Sequence, residues 1–149
     1  SVPTVDAMAY HFFGTSMLVC PMMDARRNQV YTGLYRFEQE TFQTVMPQCA
    51  SSIEELVQQI NEKGEPVILN GDGVPVQLDH LCAQLKVPYF IAPPHVARQK
   101  AGSVGALAFL YLHNGTITPE TAAAHKPEYL RLSQAERELA EKQAMKHDV

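Results

Sequence analysis

With 149 residues, 46% of them hydrophobic and 19% charged, the chain has material for one ordinary globular core and not for two. Its formal net charge of -4 argues against a broad phosphate-binding surface, which needs a basic excess to displace counterions, so direct and unaided RNA binding is not expected. No apolar run approaches the roughly 18 residues of a membrane span and no signal region opens the chain, which reads as cytoplasmic.

Val5, Met8, Ala9 and Phe12 recur at helical spacing, predicting a helix over Thr4–Phe13 that stops at Gly14. The chain opens at Ser1 straight into this helix, as expected of a segment from inside a longer protein. Met17 to Phe37 then reads as a hairpin, two apolar strands around the polar run Asp24-Ala25-Arg26-Arg27-Asn28-Gln29. Pro21 lies inside the first strand, Met17 to Met23, and cannot donate to a ladder, so an edge position or a bulge is expected there. The second strand, Val30 to Glu38, sets Tyr31, Gly33, Tyr35 and Phe37 on one face and Val30, Thr32, Leu34 and Arg36 on the other. A turn at Gln39 to Thr41 leads to a third strand from Phe42 to about Pro47, completing an antiparallel meander.

From Ser51 the period changes. Ser52-Ile53-Glu54-Glu55 fits a capping box, Ile53, Leu56, Val57 and Ile60 form an apolar stripe, and Gly64 closes the helix. Pro66 to Leu69 is a strand covered on both faces, and Asn70-Gly71-Asp72-Gly73 turns it into a helix where Val74, Leu78, Leu81 and Leu85 share a face. Val87 to Ala92 reads as the next buried strand, stopped by Pro93 and Pro94. The longest buried helix is expected from about Val96 to His113, with Ala101, Gly102, Gly105 and Ala106 letting a neighbour approach its backbone. Thr118-Pro119-Glu120 starts a helical turn, Lys126 to Arg131 is extended, and Ser133-Gln134-Ala135-Glu136 caps a charged terminal helix to about Lys146. Three antiparallel strands followed by alternating helices and strands make an α/β layered lobe.

Asp24, Arg26 and Arg27 are the most polar group beside the sheet. A guanidinium there matches a carboxylate or phosphate bidentately, with Asp24 orienting it; the other reading is a turn with a local ion pair worth about 0–1 kcal/mol. Asn70-Gly71-Asp72-Gly73 has the place of a phosphate cradle between strand and helix, or of an ordinary turn, and neither GxGxxG nor GxxxxGK[ST] occurs. His95 follows a strand end, where α/β folds put ligands. No GxSxG is present, and Ser51, Ser52 and Ser133 are better used as caps. Cys20, Cys49 and Cys82 are widely spaced among apolar neighbours, as buried thiols of a reducing compartment are, and no Cys or His pair has metal-ligand spacing.

The run Met22-Met23-Asp24-Ala25-Arg26-Arg27-Asn28-Gln29-Val30-Tyr31, then Leu69 to Gly73, then Pro127-Glu128-Tyr129-Leu130-Arg131 before a Ser-x-Ala-Glu-Arg tail, resembles the C-terminal half of the TsaB (YeaZ) family in matching order over essentially the whole chain. The DAR-x-x-x-VY stretch is its most specific part. The resemblance implies a ribonuclease H-like lobe of the actin-like ATPase fold, the second of two, with the N-terminal lobe lying outside residues 1–149. It implies a non-catalytic dimerization subunit of the complex that makes N6-threonylcarbamoyladenosine in tRNA, binding the catalytic subunit TsaD and working with the ATPase TsaE, mainly through the first lobe. It implies no cofactor in this lobe, nucleotide entering only with the complex, and Asp24, Arg26, Asp72, Tyr129 and Arg131 as candidate ligand or partner contacts. The rival reading is a nucleotide-binding or acyl-transferring enzyme lobe that uses Asp24, Arg26 and Asp72. If the first helix and the small-residue helix are normally covered by other elements, the chain should self-associate as a homodimer through exposed apolar area.

Overall fold

The computed structural model describes residues 1–126 together with Tyr129 and Leu130. A five-stranded sheet in the order β3-β2-β1-β4-β5 runs through it, built from β1 (Leu18–Asp24), β2 (Gln29–Glu38), β3 (Thr41–Ser52), β4 (Val67–Asn70) and β5 (Tyr89–Ile91). β1, β2 and β3 form the antiparallel meander, and β4 and β5 extend it in parallel. This is the expected meander-plus-parallel α/β lobe. Its helices are α1 (Thr4–Tyr10), α2 (Ile53–Lys63), α3 (Gly73–Val76), α4 (Leu78–Gln84) and α5 (Ala101–His113), none long and apolar enough to cross a membrane.

The core lies mainly on one face of the sheet, where Leu18, Cys20, Met22, Leu34 and Leu69 pack against Ile53, Leu56 and Ile60 of α2 and Leu81 of α4. Burial pushes the Cys20 thiol up to about 12, with the Thr32 hydroxyl partly offsetting it. The α2 cap forms as the sequence dictates. Ser52 Oγ accepts from Glu55 N–H at 3.2 Å, the Glu55 carboxylate accepts from Ser52 N–H at 3.2 Å, and Gly64 closes the helix at φ 68. On the other face α1 is buried at Val5, Asp6, Ala7, Met8 and Ala9. The Asp6 carboxylate there accepts from the hydroxyls of Tyr35 on β2 at 2.5 Å and Tyr111 on α5 at 2.8 Å, which ties two helices to the sheet. Tyr10, Phe13, Phe37 and Phe42 make a chain of tilted and edge-on ring contacts beside it.

Several expectations change. Pro21 sits in the central strand, not on an edge. The β1–β2 pairs run Val19↔Tyr35 and then Met22↔Thr32, a register that places Pro21 opposite Gly33 in the gap, and the Thr32 hydroxyl donates to the Pro21 carbonyl at 2.7 Å. A ladder position is therefore given up where the side chain opposite is absent, and the remaining acceptor is satisfied. β3 runs on to Ser52, with register shifts opposite Leu34 where Pro47 interrupts it. α1 ends at Tyr10, three residues before the expected Phe13, with Gly14 at φ 81 closing the turn beyond it. The helix after Gly73 breaks at Gln77 into α3 and α4, leaving Leu78 exposed. β5 is short and half-exposed because nothing described covers its outer side. α5 begins at Ala101, since 94–98 forms a turn and a bend, and buries only Leu107 and Tyr111. Its Gly102 and Gly105 face open space, with no close neighbour at their backbone. The expected turn at Thr118 starts instead at Thr121, whose hydroxyl accepts from Ala124 N–H at 3.3 Å. The expected terminal helix from Ser133 lies outside the described residues.

Candidate functional site

The carboxyl ends of β1 and β4 bring together the residues the sequence nominates. At the hairpin tip Arg26, Arg27 and Asn28 all adopt left-handed backbone, at φ 64, 54 and 55. A non-glycine residue pays about 1–2 kcal/mol for that conformation, less for Asn. The tip persists because its base is pinned on every side. Arg26 N–H donates to Asp24 Oδ1 at 2.9 Å, Ala25 N–H to the Gln29 carbonyl at 3.0 Å, Gln29 N–H to the Arg26 carbonyl at 3.1 Å and Ile53 N–H to the Asn28 carbonyl at 3.2 Å. The Arg26 guanidinium stands 3.6 Å from Asp24 Oδ2 but is almost wholly in water, so the ion pair adds little.

Asp72 reaches across from the β4–α3 loop, its Oδ1 accepting the Asp24 N–H at 3.3 Å. Asp24, Arg26 and Asp72 thus form one linked group, and the links lock the hairpin to that loop. The loop glycines serve packing. Gly71, at φ +111, and Gly73 lie directly against the Met22 carbonyl, leaving no room for a β-carbon at Gly71. Backbone that close to β1 does not open into a phosphate cradle, and the Asp24 and Asp72 carboxylates beside it disfavour an anion. Asn70, buried before the loop, donates from Nδ2 to the Met8 carbonyl at 3.2 Å, while its Oδ1 has no partner among the described residues.

Tyr129 stands apart at 83% exposure, and Arg131 lies outside the described residues. His95 is exposed. Sequence reasoning missed the cavity of about 330 Å³ at the carboxyl ends of β4 and β5, walled by Leu69, Val74, Leu78, Ile91 and Ala97 with Asp72 and Arg98 also lining it. The strand-end rule pointed at the right place through His95; Arg98, three residues on, is the side chain that lines it. It also missed Asp6, a single acid in an apolar helix, and its two tyrosine partners.

A family model described as TsaD, tRNA N6-adenosine threonylcarbamoyltransferase, matches residues 1–139. The chain is 32% identical over 145 residues to the tRNA threonylcarbamoyladenosine biosynthesis protein TsaB of Bacillus subtilis (strain 168), covering 96% of this chain and 58% of that protein. It therefore spans less than two thirds of that relative. Among solved structures, an uncharacterized protein with similarity to peptidase YEAZ from Pseudomonas aeruginosa superposes with a TM-score of 0.63 at 19% identity, over 87% of this chain and 57% of that one. YeaZ from Pseudomonas aeruginosa gives 0.55 at 16% identity, over 76% and 52%. Those two likenesses speak for the fold.

Proposed function

The chain belongs to the family that the TsaD model describes, on its TsaB (YeaZ) side, and from that membership we propose that it is the C-terminal lobe of a non-catalytic interaction subunit in tRNA threonylcarbamoyladenosine biosynthesis. In this reading it works in the cytoplasm in support of the catalytic subunit TsaD and alongside TsaE, and nucleotide enters with the complex. The observation that carries it is the family match over residues 1–139; beside it, Asp24 and Asp72 each turn a carboxylate oxygen to backbone of the hairpin, at Arg26 N–H and Asp24 N–H. A group used that way stiffens a surface more readily than it handles a substrate.

The two-lobe part of the proposal is supported by coverage and by α5. The relative extends well beyond the matched region. α5 has no charged residue from Ala101 to Leu112, and on its outer side Phe109 is 76% exposed beside Val104 and Leu112. Such a helix suits a further folded lobe seated on it.

Co-purification of the full-length parent with its cognate TsaD tests the reading. A stable complex is the expected result, and no complex under any nucleotide condition would sink it.

A further inference from the structure

The described sheet ends at β5, and no described strand pairs with its outer edge. Val67 N–H donates to the Pro88 carbonyl at 3.0 Å and Ala92 N–H to the Leu69 carbonyl at 2.9 Å. Pro88 and Ala92 thus face β4, and the alternation of a parallel ladder turns the peptide groups of Tyr89 and Ile91 outward. The side chains beside this edge are apolar and wet, Phe90 at 56% and Ile91 at 48% exposure, and the exposed Leu78 lines the same cavity as Ile91. The cavity of about 330 Å³ opens at the end of the same edge and shares Ile91 with it.

The charge of the lining narrows what fits. Asp72 contributes one carboxylate and Arg98 one guanidinium, and the remaining wall is mostly apolar. An isolated phosphate meets Asp72 there and an isolated cation meets Arg98. A peptide group brings a donor and an acceptor without net charge and satisfies both. An extended backbone also supplies what the outward groups of Tyr89 and Ile91 lack.

We propose that the outer edge of β5 and the adjoining cavity form one docking groove for an extended, uncharged apolar segment of a partner protein, added to the sheet as a further strand with one side chain in the cavity. Main-chain bonds to Tyr89 and Ile91 hold the segment in place, and the cavity selects its side chain. The groove is independent of the tRNA-modification reading, since it rests on strand-edge geometry alone.

Phage-displayed random heptapeptides selected on the purified chain supply the probe, and a selected peptide is then titrated into isotope-labelled protein. The expected outcome is a set with apolar residues at alternate positions, amide shifts at Tyr89, Ile91 and Ala97, and affinity about tenfold weaker for Ile91→Pro, which removes an outward donor. Leu78→Asp, which puts a charge in the cavity wall of a residue already exposed, should weaken binding similarly and guards against a misfolded proline variant. No selection above background, or binding by both variants as tight as by the parent chain, overturns the proposal. So does a concentration-dependent shift of the same amides without peptide, which assigns the edge to a second copy of the chain. Protection of those amides that disappears when residues 131–149 are deleted overturns it too, by assigning the edge to the chain's own end.

Discussion

Tyr111 of α5 donates a 2.8 Å hydrogen bond to Asp6 of α1, joining the first helix to the last one described. The other oxygen of the same carboxylate takes the Tyr35 hydroxyl. Tyr111→Phe leaves a buried acceptor short of a partner and is expected to cost about 1–3 kcal/mol. Urea unfolding measures it. A loss below about 0.5 kcal/mol would mean that apolar packing of Leu107 and Ala7 holds α5 by itself.

Burial first, and Asp6 second, raise both Tyr35 and Tyr111 above the ordinary tyrosine range. In the unfolded chain tyrosine ionises near about pH 10, while the folded pair keeps its protons beyond that. Above that point the unfolded state binds fewer protons, so stability falls as pH rises. The contribution is whole below about pH 10 and drains away above it. Denaturation midpoints should therefore drop more steeply in the alkaline range for the parent than for the Tyr35→Phe, Tyr111→Phe double variant. Parallel slopes would contradict this.

Gly71 and Gly14 both hold positive φ, but only Gly71 has backbone against it. Gly14→Ala carries conformational strain alone, about 1–2 kcal/mol. Gly71→Ala must also push the 70–73 loop off the Met22 carbonyl, and its thermal midpoint should fall well below that of Gly14→Ala. Equal midpoints would show that the loop yields freely.

At the hairpin tip the strain and the anchoring belong to different residues. Arg27→Gly relieves a left-handed backbone at the expense of chain entropy and is expected to be neutral or up to about 1 kcal/mol stabilising. Asp24→Ala loses the bond to Arg26 N–H and should cost about 1 kcal/mol. Chemical denaturation of the two variants decides it; destabilisation by Arg27→Gly would show that the side chain contributes contacts of its own.

Local chemistry was legible in the sequence. Ser52 with Glu55 and Gly64 bound α2 as their residue types require, and the stripe Ile53, Leu56, Val57 and Ile60 is buried throughout. The meander and the parallel strands followed from the change of period at Ser51. What stayed hidden depends on residues distant in sequence. Pro21 is tolerated in the central strand because Gly33 lies across from it and Thr32 bonds its carbonyl. Asp6 could be buried only because Tyr35 and Tyr111 arrive from elsewhere. The apolar composition of 87–92 and 101–113 suggested burial, yet whether such a segment is covered depends on a neighbour, and no period records that. At the candidate site the sequence named Asp24, Arg26 and Asp72 as candidate contacts, and the structure places them at the ends of β1 and β4. The sequence could not show that they bond to one another.

β1 lies at the middle of the sheet although it is the first of the described strands. Its antiparallel neighbour follows at once through the hairpin, whereas β4 arrives only after β2, β3 and α2 have been made. Closing a short loop costs less entropy than closing a long one, so assembly is expected to start on the meander flank and reach β4 and β5 later. During that interval Val19 and Cys20, which β4 will pair, have an open side. On that order of assembly, the open side of β1 is where a half-built sheet is expected to be most exposed to pairing with another chain.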